Sequence, residues 1–290
     1  MRLVETPLTA PLSAVVALPP GKALRLFWLG QAGFVIDGGG HRVVIDPYLS
    51  DSLAEKYRGT RFPHLRMMPA PVAPDLIRHV DLVLATHAHT DHLDAGTLPR
   101  LMAANPQAKL IAPRAAASLA LERASIPSDR LIGIDASERV EHRDLAVTAT
   151  RAAHERLETD ESGNHRFLGL SIEIAGYIAF HSGDTIPYHG QIEEVRALRA
   201  DLALFPVNGR DVLRAANGVP GNMNMAEAIE LASGAGIDAM IAHHFDMFEF
   251  NTVPRHEIEQ AASRAPSPYV FAARTNVSYG PAVEAAEHIS

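Results

Sequence analysis

The sequence contains no cysteine, so it can form no disulfide and offers no thiolate to a metal. Any metal must be held by imidazole and carboxylate, and the missing disulfides fit a reducing compartment such as the cytoplasm. Aromatic residues make up only 6% of the chain, with a single tryptophan. Basic residues are outnumbered: 26 Lys and Arg against 34 Asp and Glu leave a formal charge of -8. Such a balance offers no general attraction to phosphate backbones and argues against nucleic acid as the partner. Long apolar runs are missing too, and no segment approaches the length needed to cross a membrane. The opening MRLVETPLTAPLSAVVALPPGKA is broken by Glu5, Pro7, Pro11, Pro19 and Pro20, which leaves no apolar segment of signal-peptide length. The expectation is a soluble cytoplasmic protein that meets no membrane.

An apolar fraction of 47% over 290 residues is ample for a large core. Residues 1–23 read as an irregular N-terminal arm and 24–290 as a single domain. From Leu24 onward, short apolar runs are bounded by turn residues: Leu24–Leu29, Gly33–Ile36 and Arg42–Ile45 read as strands, with Gly38-Gly39-Gly40 turning the last two into a hairpin. A loop rich in Pro and Arg then runs to about Pro74. Strands are next expected at Leu82–Ala85, Lys109–Ala112, Leu131–Ile134, Leu145–Thr150, Leu168–Ile174, Tyr177–Phe180, Leu202–Phe205, Ala239–Ala242 and Tyr269–Phe271. Between them fall helices at Asp75–His79, Arg114–Ala124, Gln191–Ala200, Met225–Ser233 and His256–Arg264. Early hairpins followed by alternating strands and helices point to a layered α/β domain with helices outside packed sheets.

The chemistry concentrates at Ala85–Asp94, ATHAHTDHLD, directly after the apolar run Leu82–Leu84. Burying His87, His89, Asp91 and His92 together is costly unless something pairs with them, and a divalent cation is the usual partner. Three further candidates follow predicted strands: His154 in RAAHE, Asp184 in FHSGDT and His244 in IAHHFDMF. Strand ends are where α/β scaffolds build their sites. Together these residues supply what two adjacent cations need, including a carboxylate able to bridge them. Neighbouring side chains on a strand point to opposite faces, so only one of His243 and His244 can aim into the site.

In the stretches FWLGQAGFVID (Phe27–Asp37), IDPYLSD (Ile45–Asp51), IRHVDLVLATHAHTDHLD (Ile77–Asp94), FHSGDT (Phe180–Thr185), FPVNGRD (Phe205–Asp211) and IAHHFDMFEFNT (Ile241–Thr252), the chain resembles the metallo-β-lactamase superfamily. Within it, the chain is most similar to the L-ascorbate-6-phosphate lactonase-like family. That resemblance implies a four-layer αββα sandwich with a dinuclear site at one edge of its sheets. It makes His87, His89 and His154 ligands of one metal and Asp91, His92 and His244 ligands of the other, with Asp184 bridging. It also makes Asp46 a supporting aspartate behind the His-rich loop. The implied cofactor is two divalent metal ions, zinc favoured over manganese by the His-rich shell. Two departures bear on substrate and metal. His154 stands near where the type member of that family carries an acidic residue, and Ala242 replaces the proline usual two residues before the last histidine.

The expected activity is hydrolysis by a metal-activated water, with Asp91 orienting it or moving its proton and a lactone, of sugar-phosphate type, as the leading substrate. A phosphodiesterase is the enzymatic rival, and a non-catalytic metal-binding or assembly protein on the same scaffold the rival of another class. The partner is a small molecule, and a homo-oligomer is left open. Asn208 and Arg210, beside the Gly- and Asn-rich segment 217–224, could anchor an anionic tail, although the same composition suits an ordinary turn. His181 and His189 flank the Asp184 loop and are candidates for the pocket. His41, His64, His79, His142, His165, His256 and His288 read as solvated or locally hydrogen-bonded.

Overall fold

The computed structural model describes residues 1–265 and 267–282, so His288 lies outside the described residues. The first sheet gathers β1 (Leu3–Pro7), β2 (Arg25–Gly30), β3 (Gly33–Gly38), β4 (His41–Ile45), β5 (Leu82–Leu84), β6 (Lys109–Pro113) and β7 (Leu131–Ile134). The second holds β8 (Arg139–His142), β9 (Leu145–Arg151), β10 (Leu168–Ile174), β11 (Tyr177–His181), β12 (Leu202–Pro206), β13 (Ala239–His243) and β14 (Tyr269–Ala272). A last strand, β15 (Val277–Pro281), returns to the first sheet between β1 and β2. The helices are α1 (Leu12–Ala17), α2 (Ser52–Lys56), α3 (Leu98–Ala104), α4 (Ala117–Ala124), α5 (Gln191–Ala197), α6 (Val212–Ala216), α7 (Met225–Ala235) and α8 (Arg255–Arg264).

Strand periodicity explains the layering. Side chains alternate between faces along a strand. Leu26, Trp28, Phe34, Ile36, Val43, Ile45, Leu82 and Leu84 therefore meet the second sheet in one core. Their neighbours Phe27, Leu29, Val35, Val44, Val83 and Ala85 form a second core with Leu12 and Val16 of α1, Leu98 and Leu101 of α3 and Ala120 of α4. Both faces are apolar because both are covered, as expected of largely parallel sheets. On the far side, Val195 of α5, Leu231 of α7 and Ile258 of α8 close the second sheet. The result is the four-layer αββα sandwich.

Strands β4 to β7 run parallel, as do β11 to β14. Their C-terminal ends face one edge of the molecule, and that edge holds the site. One expectation fails at the opposite end of the chain. Residues 1–23 do not form an irregular arm: β1 pairs antiparallel with β15, and α1 is tied down by Arg42. That fully buried guanidinium donates twice to Asp37 at 2.7 Å and also reaches the carbonyls of Leu18 and Arg78 at 3.2 and 2.7 Å. Polar edge strand β8, with sequence RVEH, and helix α3 also lie outside the expected elements. Among the described residues no helix is long and apolar enough to cross a membrane.

Candidate metal centre

The His-rich loop leaves β5 and is pinned across the gap between the sheets. The Leu168 amide of β10 donates to Thr86 O at 3.1 Å, and His87 bridges to Phe167. On its outer side, the guanidinium of Arg123 in α4 straps the loop by donating to Ala88 O at 2.6 Å and Leu93 O at 3.1 Å. The loops after β9 and β11 are joined to each other as well. The Ala153 amide donates to Thr185 Oγ1 at 3.0 Å, which sets His154 beside Asp184. Gly183 turns this loop at φ +63, where a Cβ would lie 2.4 Å from Leu168 O, so the tight approach needs glycine.

These connections bring the seven sequence candidates into three overlapping groups: His87, His89 and His154; His87, His92 and Asp184; and Asp91, His92 and His244. Asp184 touches both ends of the cluster, with Oδ2 3.1 Å from His244 Nε2 and 3.7 Å from His154 Nε2, and Oδ1 3.4 Å from His92 Nε2. His243 faces the other way. It is buried between the sheets, stacked on His181 at 4.8 Å and edge-on to Phe34 at 5.5 Å, with neither ring nitrogen hydrogen-bonded among the described residues.

Asp46, fully buried at the end of β4, organises the loop from behind. It accepts from Thr86 N at 2.8 Å, Thr86 Oγ1 at 2.6 Å and His92 Nδ1 at 2.7 Å. The one hydroxyl proton of Thr86 goes to Asp46, so its oxygen accepts from His87 Nδ1 at 3.0 Å. Both rings are thereby fixed with Nδ1 as donor and Nε2 turned into the cluster. These two Nε2 atoms, with Asp184 Oδ1, are buried and lack any hydrogen-bond partner among the described residues. Buried polar atoms without partners are rare, and imidazole nitrogens converging with a carboxylate oxygen fit a divalent cation.

The electrostatics agree. Burial would depress His92, but the carboxylates of Asp184, Asp46 and Asp91 push it well above the usual imidazole value. Burial would raise Asp184, yet His244 and His92 hold it well below the carboxylate range. Asp91 is lowered in the same way, by His92 and His244 against its burial. A cluster that carries this much charge in a buried place is one a cation would neutralise. His154, by contrast, is lowered to about 4 by burial, with Asp184 opposing, and is a neutral imidazole.

Two contributors escaped the sequence reading. Gln31, in the turn between β2 and β3, is buried at left-handed φ 49. Its amide nitrogen donates to Asp91 Oδ2 at 2.8 Å and lies 3.2 Å from His244 Nε2. Its backbone carbonyl accepts from the His244 backbone amide and from Trp28 Nε1, each at 3.0 Å. Phe167 sets its ring 5.2 Å from His87 and His154 and 5.7 Å from His89, an apolar floor under that group. Gln31, Asp46 and His244 all carry positive φ, so uncommon backbone conformations gather at this edge.

The cluster opens into a cavity of about 500 Å³. Its outer walls are α2 with residues 57–64, residues 217–220, and Phe248 and Asn251. Four expected pocket residues are not among its lining. Arg210 makes a bidentate pair with Glu227 at 2.6 Å, so its fork is already filled. Asn208 is buried one layer back, donating to Asn251 Oδ1 at 2.8 Å. His181 donates from Nε2 to Ala32 O at 2.9 Å and accepts from Gly183 N at 3.0 Å, and both bonds support the fold. His189 is exposed outside the cavity. His64, read as solvated or locally bonded, does bond locally, with Nδ1 2.6 Å from Phe62 O, and it also lines the cavity, stacked on Tyr57 at 4.3 Å.

Comparisons with known proteins agree with this geometry. Residues 41–245 match the beta-lactamase superfamily domain family. A UPF0173 metal-dependent hydrolase of Hyperthermus butylicus is 30% identical over 228 residues, covering 76% of this chain and 83% of that protein. One of Saccharolobus solfataricus is 27% identical over 191 residues, 64% of this chain and 72% of its own length. The fold is similar to that of a metallo hydrolase from Ignicoccus hospitalis, with TM-score 0.64 and 18% identity over 90% of this chain and 99% of that one.

Proposed function

We propose that this chain, which belongs to the β-lactamase superfamily as one of its metal-dependent hydrolases, opens a lactone with two divalent cations held by His87, His89, His154, Asp91, His92 and His244 and shared through Asp184. The observation that supports two cations is the reach of Asp184 toward both ends of the cluster, beyond what one four-coordinate ion requires. Zinc suits a shell of five imidazoles better than manganese. When bound, such a pair would lower the pKa of a nearby water and polarise the bond under attack.

The chain's own residues supply the rest. Asp91 faces the cavity with one oxygen fixed by Gln31, in place to take a proton from the attacking water and pass it to the ring oxygen as the acyl C–O bond breaks. Asp46 and Thr86 keep the imidazoles oriented, and Phe167 excludes solvent beneath them. A small-molecule substrate, acted on in the cytoplasm, fits a cavity of about 500 Å³.

The test is elemental analysis followed by turnover. Purified protein holds about two equivalents of divalent metal and hydrolyses generic lactones faster than phosphodiesters. Asp184→Ala loses both cations together. One equivalent at saturation contradicts the paired centre, and a preference for bis-aryl phosphodiesters contradicts the lactone.

A further inference from the structure

The cavity wall facing the metal centre carries a charge imbalance that the centre does not use. Among the described residues, the only carboxylates lining the cavity are Asp91 and Asp184, both in the candidate ligand cluster. The opposite wall presents Lys56 and Arg61, both exposed, and neither has a carboxylate within ion-pair distance among the described residues. Aromatic faces hold them instead: Lys56 Nζ lies 5.0 Å from the Tyr57 ring centroid, and the Arg61 guanidinium carbon 5.5 Å from that of Phe62. A cation resting on a ring keeps its full charge, unlike one neutralised by a carboxylate. Arg61 also reaches across the mouth, donating to Asn217 Oδ1 at 3.3 Å.

Below these cations the wall is mainly aromatic, with the His64 imidazole stacked on Tyr57 at 4.3 Å. Tyr57, Phe62 and Phe248 line the cavity, and the last two are linked through Phe250, 4.6 Å from Phe62 and 6.1 Å from Phe248. In a chain with few aromatics and a charge of -8, flat rings and two unneutralised cations on one wall are a selective surface.

We propose that the molecule hydrolysed is an amphipathic organic anion: its apolar, planar part lies against Tyr57, Phe62 and Phe248, and a carboxylate or phosphate distinct from the cleaved bond pairs with Lys56 and Arg61. The reacting end rests on the hydrolytic reading above; the anionic end does not, and measuring both binding and turnover separates them. Calorimetric affinities of benzoate, phenyl phosphate and neutral benzamide are compared between metal-loaded wild type and Lys56→Gln/Arg61→Gln. Any capture of the anion by the metals is common to both proteins, so the ratio reads the two side chains.

The double substitution is expected to weaken benzoate, phenyl phosphate or both about tenfold more than benzamide, and the anion more affected identifies the group recognised. Equal weakening of all three, or none, overturns the proposal. Turnover of dihydrocoumarin and its ring-carboxylated and ring-phosphorylated derivatives completes the test. Turnover of all three with no preference for the charged ones also overturns it. Absence of any turnover with the binding preference intact refutes the lactone reading and leaves the anionic end supported.

Discussion

Replacing Asp46 with Asn removes one charge from behind the His-rich loop while preserving size and backbone tolerance. Asp46 sits at φ 44, a left-handed conformation that Asn adopts as readily as Asp, so backbone strain stays constant. The carboxylate accepts three hydrogen bonds, two from Thr86 and one from His92. An amide offers one accepting oxygen, and its NH2 must face at least one of those donors. If it faces His92 Nδ1, the imidazole proton moves to Nε2 and blocks the atom turned into the cluster. If it faces the Thr86 amide, a buried N–H goes unpaired, at a cost of about 1–3 kcal/mol in stability. Loss of such a supporting partner typically weakens metal affinity about 10- to 100-fold, or roughly 1.4–2.7 kcal/mol. Competition titration of the stripped protein with zinc against a chromophoric chelator measures this, with thermal unfolding run in parallel. Asp46→Ala adds the left-handed penalty of about 1–2 kcal/mol and should be less stable than Asn. A D46N protein that binds both equivalents within twofold of wild type, at unchanged Tm, would refute the role assigned to this carboxylate.

Gln31→Met keeps side-chain length but removes the donor to Asp91; retained metal should fall short of two equivalents at a concentration that saturates wild type, with affinity down about tenfold. Replacing His243, whose ring nitrogens have no partners, with Leu should preserve metal content and leave Tm equal or higher, whereas His244→Ala should deplete metal; the reverse ranking means the strand register is misassigned. Arg210→Ala should cost only about 0.2–1 kcal/mol, as expected of a partly exposed ion pair. Its hydrogen bonds, then those from the Asn224 amide, hold Glu227 below the usual carboxylate value against burial. A depressed folded-state pKa stabilises above the unfolded value and is lost as pH falls through the folded one, so wild type and variant should converge in acid. A gap in Tm that does not narrow as pH falls contradicts that assignment.

The candidate ligands were legible because each follows an apolar run that local periodicity reveals, and four of them lie within six consecutive residues, His87–His92. What escaped depends on pairings between distant segments. Strand β1 reads as an arm because its partner β15 comes from the other end of the chain. Arg210 reads as an anion anchor because nothing local announces Glu227, whose carboxylate also closes the capping box that starts α7. The aromatic wall was hidden in a Pro- and Arg-rich stretch with no periodicity, and its rings meet Phe248 and Phe250 only in the folded chain. Gln31 lay inside a motif already quoted, but a turn glutamine carries no signal until its amide is seen on Asp91.

The only tryptophan of the sequence, Trp28, is stacked on Phe245 at 5.5 Å and bonded through its indole nitrogen to the carbonyl that also receives the His244 amide. The protein therefore contains its own optical reporter. Emission at the red edge of excitation comes from one fluorophore, shielded from water and a single residue's carbonyl away from a candidate ligand histidine. Cobalt or copper bound at the cluster would quench it by energy transfer, so loading, exchange and loss of metal can be followed in real time, without a label and without a substrate.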